Sequence, residues 1–319
     1  MDLKSNGQYT ERILLILMFV FSSCIVKGQT FLNPVSYWVF TPYIYNPAMI
    51  GSKDFLSVNF NAGFVGSANT QLISGNTRIK KTNSGYFSSP GVAEFTNTGI
   101  GASVFNELDG LARNIGLSGS VSYQIPLNKR KLSFLSFGVS LKEEYNTIKS
   151  DTGNFSAKTF YPNLDLGVFY YGTNFFAGIS EINVLGSPWK PDSLGFYRVP
   201  VSREYFFTAG YKILISRSLN IVLEPSILFL TTDSTFNKIR NNINPIIKLY
   251  LEDFCIGSSF NSDGKISFFG QFRYPRFYVG AFYEFARNTA LYKNKPTVEF
   301  NMGINIQPDK KRITNHGHW

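Results

Sequence analysis

Few side chains in this sequence could carry out chemistry. Two histidines, His316 and His318, stand near the end of the 319-residue chain. A Ser-His or Cys-His nucleophilic pair needs an imidazole held within hydrogen-bond reach, and a polar terminal stretch does not hold one. The His-x-His spacing suits a metal, but no third ligand lies near it. The cysteines are Cys24 and Cys255. Loss of an N-terminal leader would leave Cys255 alone, with no intramolecular disulfide and no cysteine-based metal site. Gly99 and Gly101 lie in an alternating pattern without a lysine or a following helix, so they do not make a phosphate loop. Gly116 and Gly119 flank serines but lack the strand-to-helix setting of a nucleophile elbow. We read these four glycines as close-packing points of a wall. The expectation is no enzyme, no cofactor and no metal.

The elements that would hold any such residues begin with a leader. Lys4 and Arg12 precede an apolar run from Ile13 to Val26, and Val26-Lys27-Gly28 permits cleavage before Gln29. A transmembrane anchor is the alternative, but the run is short for one. A lipoprotein cut before Cys24 is disfavoured by the bulky Phe21. Removing residues 1–28 takes away Lys4, Arg12 and Lys27 with Asp2 and Glu11, so the net charge of +10 falls to +9. The remaining Lys and Arg are scattered, whereas a nucleic-acid binder clusters them on one face, so no nucleic-acid partner is expected. Aromatic residues make up 16% and charged residues 16%, high and low respectively for a soluble domain. Beyond the leader no apolar run reaches the ~20 residues of a spanning helix.

After Gly51 the hydrophobic period becomes two. Leu56, Val58, Phe60, Ala62 and Phe64 alternate with Ser57, Asn59, Asn61 and Gly63. The same pattern recurs at Ile115–Ile125, Ile266–Tyr274 and Val298–Ile306. About fourteen such segments start near residues 55, 69, 94, 112, 131, 157, 174, 203, 218, 240, 254, 265, 276 and 297. Tight joins at 128–130, 172–173, 216–218, 252–253 and 275 alternate with longer ones at 149–156, 183–202, 232–239 and 288–296. This rhythm predicts an all-β fold: a transmembrane up-and-down antiparallel β-barrel of about 14 strands, with short periplasmic turns and long outer loops. Lipid offers no partner to a backbone N–H or C=O, so an open edge is costly and closure removes it. The apolar set then faces outer-membrane lipid. Glu224, Lys248, Arg273, Glu284 and Glu299 face the lumen, where they either line a solute path or pair across it. Tyr37, Trp38, Tyr170, Tyr171 and Tyr205 are expected in interfacial girdles or in strand packing.

Ahead of the first strand stands Tyr37–Gly51, YWVFTPYIYNPAMIG. Pro42 and Pro47 do not suit the interior of a sheet or helix, Asn46-Pro47 starts a turn, and Gly51 can take backbone angles closed to other residues. The segment reads as irregular in backbone, yet it is too apolar for water and should pack on what the rest of the chain builds. Phe40, Pro42, Asn46, Pro47, Ala48 and Gly51 resemble the signature of the PorP/SprF family of outer-membrane proteins, which accompany type IX secretion and gliding in Bacteroidetes. Thr41 and Met49-Ile50 depart from that signature. Thr98–Val104, Arg113–Pro126, Pro162–Tyr171 and Glu204–Lys212 are similar to recurrent blocks of the same barrels.

The resemblance implies an accessory role in which an adhesin-like surface protein with a C-terminal sorting domain is exported or anchored. Its partners would be that large secreted protein and other secretion or motility components. The candidate partner loop is 183–202, with Trp189, Tyr197 and Arg198 and the adjoining Arg203. The competing reading is a porin-like channel for small solutes. The expected organisation is a signal peptide at 1–28, an aromatic/proline segment and candidate periplasmic plug at 29–54, a barrel at 55–306, and a polar tail at 307–319.

Overall fold

The computed structural model describes residues 33–53, 55–65, 68–80, 95–128, 133–149, 156–186, 202–232, 243–261, 264–274, 276–286 and 296–306. The leader and the tail with His316 and His318 lie outside them.

Runs of alternating apolar and small polar residues form the strands. In chain order these are β1 (Leu56–Val65), β2 (Ala68–Lys80), β3 (Phe95–Asp109), β4 (Ala112–Asn128), β5 (Ser133–Lys149), β6 (Ser156–Tyr171), β7 (Phe175–Ile182) and β8 (Glu204–Tyr211). There follow β9 (Ile213–Ser216), β10 (Ile221–Thr232), β11 (Ile243–Leu251), β12 (Phe254–Phe260), β13 (Lys265–Arg273), β14 (Phe277–Ala286) and β15 (Thr297–Ile306). Each pairs antiparallel with its neighbours, and β1 pairs with β15 from Leu56↔Ile306 to Val65↔Thr297, which closes the sheet. β8 and β9 both pair with β10 in one register and are a single stave interrupted at Lys212, with a register shift further along between Ile221 and Val222, so the wall has fourteen staves. Closure leaves no row of unpaired backbone groups facing lipid, the condition for a sheet to span a bilayer.

Leu56 and Ile306 are register partners, so the wall begins and ends at one rim. That rim carries the short joins after β4, β6, β9, β11 and β13, and the longer joins 150–155, 183–203, 233–242 and 287–296 lie at the opposite one. The first hairpins break the expected rhythm. β1–β2 and β3–β4 have short joins at the loop rim, and the long join 81–94 lies at the turn rim. The wall is also uneven in height. β3 to β6 run 15 to 17 residues, beyond the ~9–11 that cross a bilayer, and β6 gains its β7 partner only from Leu166 onward. The excess stands at the loop rim.

The alternation sorts as read. Leu117, Val121, Val139 and Leu141 project outward and are exposed, while Ser57, Asn59, Asn61, Ser122 and Ser136 are buried inside. Aromatic side chains that point inward lie across the wall on glycines. Phe105 stands opposite Gly116, Phe169 opposite Gly178, Phe176 opposite Gly210, Phe269 opposite Gly257 and Tyr278 opposite Gly303. In each pair a Cβ on the glycine would run into the ring, so the glycine is the seat of the aromatic. Gly99 and Gly101 are close-packed as expected, but an added Cβ at Gly119 would meet nothing within 4 Å, and that glycine is no packing point.

The girdle expectation is corrected for three residues. Tyr37 and Trp38 are buried in the lumen rather than placed at the lipid interface. Tyr171 also turns inward, where its hydroxyl donates to Gln124 Oε1 at 2.9 Å. Tyr37 and Trp38 belong to the segment that packs inside the barrel, and Tyr171 shares the odd-numbered, inner face of β6 with Phe169. Tyr170 and Tyr205 do stand on the outward set, near opposite rims.

Candidate functional site

The site is built by the segment ahead of β1, which lies inside the barrel. Its first part is a helix, α1 (Pro34–Phe40), where an irregular backbone was expected. The start signal is Asn33-Pro34. Asn33 Oδ1 accepts from Val35 N at 3.0 Å and Ser36 N at 3.3 Å, and proline at the first helical position loses nothing by lacking its N–H. Pro42 and Pro47 each open a single 3₁₀ turn, Pro42–Ile44 and Pro47–Met49, for the same reason. Asn46 caps the second turn by accepting from Ala48 N at 3.0 Å, and Gly51, at φ +67°, turns the chain toward β1.

This segment is hydrogen-bonded to the wall on β1, β2, β4–β7 and β15. Asn46 Nδ2 donates to the carbonyls of Val168 on β6 (3.2 Å) and Ile179 on β7 (3.4 Å). Ser180 donates to the Tyr45 carbonyl, Ser136 to Ala48 (2.6 Å), and Ser122 and Gln124 to Ile50. Asn59 Nδ2 donates to Tyr43 Oη at 2.7 Å, and Tyr43 shares a further bond with Ser74. Asn61 Nδ2 reaches Thr41 Oγ1 at 3.4 Å, and Ser36 Oγ donates to Glu299 on β15. Apolar contacts complete the seat. Phe40 lies on Gly280, Tyr45 stacks near Phe206 at 4.3 Å between centroids, and Trp38 meets Phe176. The six expected motif residues therefore act together, Phe40 and Ala48 by packing, Pro42, Asn46, Pro47 and Gly51 by shaping the backbone.

Glycines on the wall make room for this backbone. A Cβ at Gly138 would collide with the Pro47–Ala48 peptide, and one at Gly167 with Asn46 Oδ1. Burial raises the phenols of Tyr37 and Tyr45 well above their ordinary value, with Glu299 adding to it for Tyr37 and Glu204 for Tyr45. Tyr43 is raised by burial too, against the opposing effect of its bonds to Ser74, Asn76 and Asn59.

Glu224, Lys248, Arg273, Glu284 and Glu299 all point into the barrel. Among the described residues they do not pair across it. Lys248 Nζ is 3.1 Å and Lys212 Nζ 3.9 Å from Glu224, and Lys265 is 3.8 Å from Glu284, all between neighbouring staves. The physical reason is the occupied lumen, which leaves a side chain its wall neighbours as partners. Glu299 instead holds the inserted segment through Ser36. Trp189, Tyr197 and Arg198 lie outside the described residues, and Arg203 is exposed at the loop rim beside β8.

The wall residues that hold the segment, Ser122, Gln124, Ser136, Ser180, Asn59, Asn61, Gly138 and Gly167, were not singled out from sequence. Their signal was present only as small or polar residues on the inward parity of the strands.

A family model described as "Type IX secretion system membrane protein PorP/SprF" matches residues 33–304. Comparison with curated proteins finds no match. Among solved structures the chain is similar to the CymD monoaromatic hydrocarbon channel, at 10% identity and a TM-score of 0.44 over 86% of this chain and 97% of that one. It is similar also to the transport unit of the autotransporter AIDA-I from Escherichia coli, at 10% identity and a TM-score of 0.42 over 88% of this chain and 100% of that one.

Proposed function

The chain belongs to the PorP/SprF family of type IX secretion system membrane proteins, and from that premise we propose that it is an accessory barrel that helps an adhesin-like surface protein to be exported or anchored. The observation that carries this reading is the lumen. Asn33–Gly51 occupies it and is hydrogen-bonded to the inner face along one side, on β1, β2, β4–β7 and β15, which suits a rigid holder better than a solute path. A filled barrel keeps its loops in place at low entropic cost, and the tall β3–β6 wall adds surface at the loop rim. The leader is removed at export, the segment acts as a plug, and Arg203 with the neighbouring loop contacts the client.

The test is purification of the tagged chain from native outer membranes, followed by identification of what accompanies it. A large secreted protein with a C-terminal sorting domain should co-purify, and deleting the gene should strip that protein from the cell surface. Unchanged surface proteins together with a lost nutrient-uptake phenotype would favour the porin-like reading instead.

A further inference from the structure

The inserted segment bonds chiefly to β1–β7 and β15, and the opposite side of the turn rim carries a separate cluster. Glu224 on β10 accepts from Lys248 at 3.1 Å and Tyr250 Oη at 3.2 Å, with Lys212 Nζ at 3.9 Å. The guanidinium of Arg273 lies 5.6 Å from the centre of the Tyr250 ring. Arg273 is the register partner of Tyr278, and the ammonium of Lys53 lies 5.5 Å from the centre of the Tyr278 ring. Lys212, Lys248 and Arg273 are thus joined through Glu224 and Tyr250, and Lys53 stands beside the register partner of Arg273. Among the described residues Glu224 is the one carboxylate bonded into the cluster. Trp38 adds a buried indole N–H without an acceptor, and its ring lies 5.9 Å from Lys248 Nζ.

Positive charge in excess of its counter-charge is costly beside a low-dielectric wall, and it raises the local concentration of anions. After burial, the neighbouring Arg273 guanidinium helps to hold the Lys53 ammonium down at about 7. The flanks of the cluster are apolar. Leu214 and Val222 are register partners at the same rim, and Leu214 is half exposed. Free phosphate has no use for such flanks, whereas an apolar peptide that ends in a carboxylate uses both features.

We propose that the β9–β14 side of the turn rim is a binding site for a peptide carboxylate carried next to apolar side chains, presented by a partner on the periplasmic side. Arg273 and Lys53, both part-exposed, meet the carboxylate, and Leu214 and Val222, beside the buried Tyr250, meet the apolar part. The periplasmic assignment of this rim rests on the proposed export role, but binding itself is measured on the purified barrel. The site and the export role therefore stand or fall separately.

The full-length chain is purified in detergent and its folding checked by retarded unfolding on unheated gels. Binding of acetyl-Leu-Phe-Val with a free C-terminus, of its C-terminal amide and of inorganic phosphate alone is followed by calorimetry. The acid should bind at least about tenfold tighter than the amide, and the difference should shrink as salt is raised. Arg273→Gln should weaken the acid by a similar factor and Arg273→Lys by less; Lys53→Gln offers a second probe should Arg273→Gln fail to fold. Equal binding of acid and amide to the wild type overturns the proposal. So does phosphate alone binding as tightly as the peptide, which would make the cluster an inorganic-anion site.

Discussion

Gly51 and Gly99 approach each other so closely that neither has room for a side chain. A Cβ on Gly51 would stand 2.5 Å from Gly99 Cα, and one on Gly99 would stand 2.8 Å from Gly51 Cα and 2.5 Å from the Ile50 carbonyl oxygen. One glycine ends the inserted segment and the other lines β3, so this contact fixes where the segment meets the wall. Ser122 and Gln124 on β4 then hold the Ile50 carbonyl in place.

Gly99→Val should unseat the end of the segment while the barrel still closes. Backbone cannot yield as a flexible side chain can, so the cost should reach the upper part of the ~1–3 kcal/mol range of overpacking. Hydrogen exchange over residues 42–51 should accelerate, with β8–β15 unaffected. Unchanged protection there would remove Gly99 as the register point.

Asn46→Ala removes a cap and two donations to strand carbonyls at once. About 1–3 kcal/mol of local stability should be lost, read as a lower temperature for release of the segment. Asn46→Asp keeps the cap but cannot donate to Val168 or Ile179, and should be at least as damaging as the alanine. Near wild-type behaviour of the aspartate variant would show that the cap alone matters.

Deletion of residues 33–51 should raise single-channel conductance in planar bilayers, provided the barrel still shows retarded unfolding on unheated gels. Cys255, buried at the turn rim, should become more reactive toward a maleimide in the same variant. Conductance and labelling equal to the wild type would sink the plug reading.

Alkaline pH should loosen the segment before it unfolds the wall. Tyr37, Tyr43 and Tyr45 have phenols raised above the ordinary value near 10 by burial. A group whose folded pKa is raised contributes stability in full below its unfolded value, and that stability is lost as pH rises above it. The buried phenols should therefore stay un-ionised past pH 10 by ultraviolet titration and then ionise together as the segment is released. Three phenols titrating independently at their ordinary value would contradict the burial.

Much of this architecture could be read from the chain. The fourteen strand starts fall within a few residues of their places, because a wall with lipid on one side and polar contacts on the other imposes a strict period of two. The inward orientation of Glu224, Lys248, Arg273, Glu284 and Glu299 follows from the same parity. Phe40, Pro42, Asn46, Pro47, Ala48 and Gly51 stood out because two prolines, a glycine and several rings cannot be left as an ordinary loop in water.

Local chemistry along the chain thus determined the strands, their parity, the closure of the sheet and the need of one apolar segment for cover. It left undecided what would cover that segment. Tyr37 and Trp38 could be assigned to a lipid interface because an aromatic ring with a polar tip suits either setting. The tertiary structure placed them in the lumen, and it alone brought Asn46 to Val168 and Ile179, Ser136 to Ala48 and Gly51 to Gly99. Those partners are separated by tens of residues to more than a hundred, and the contacts depend on which staves the closed wall sets side by side. Parity tells a residue which face it occupies; only the closed ring tells it what stands across the lumen.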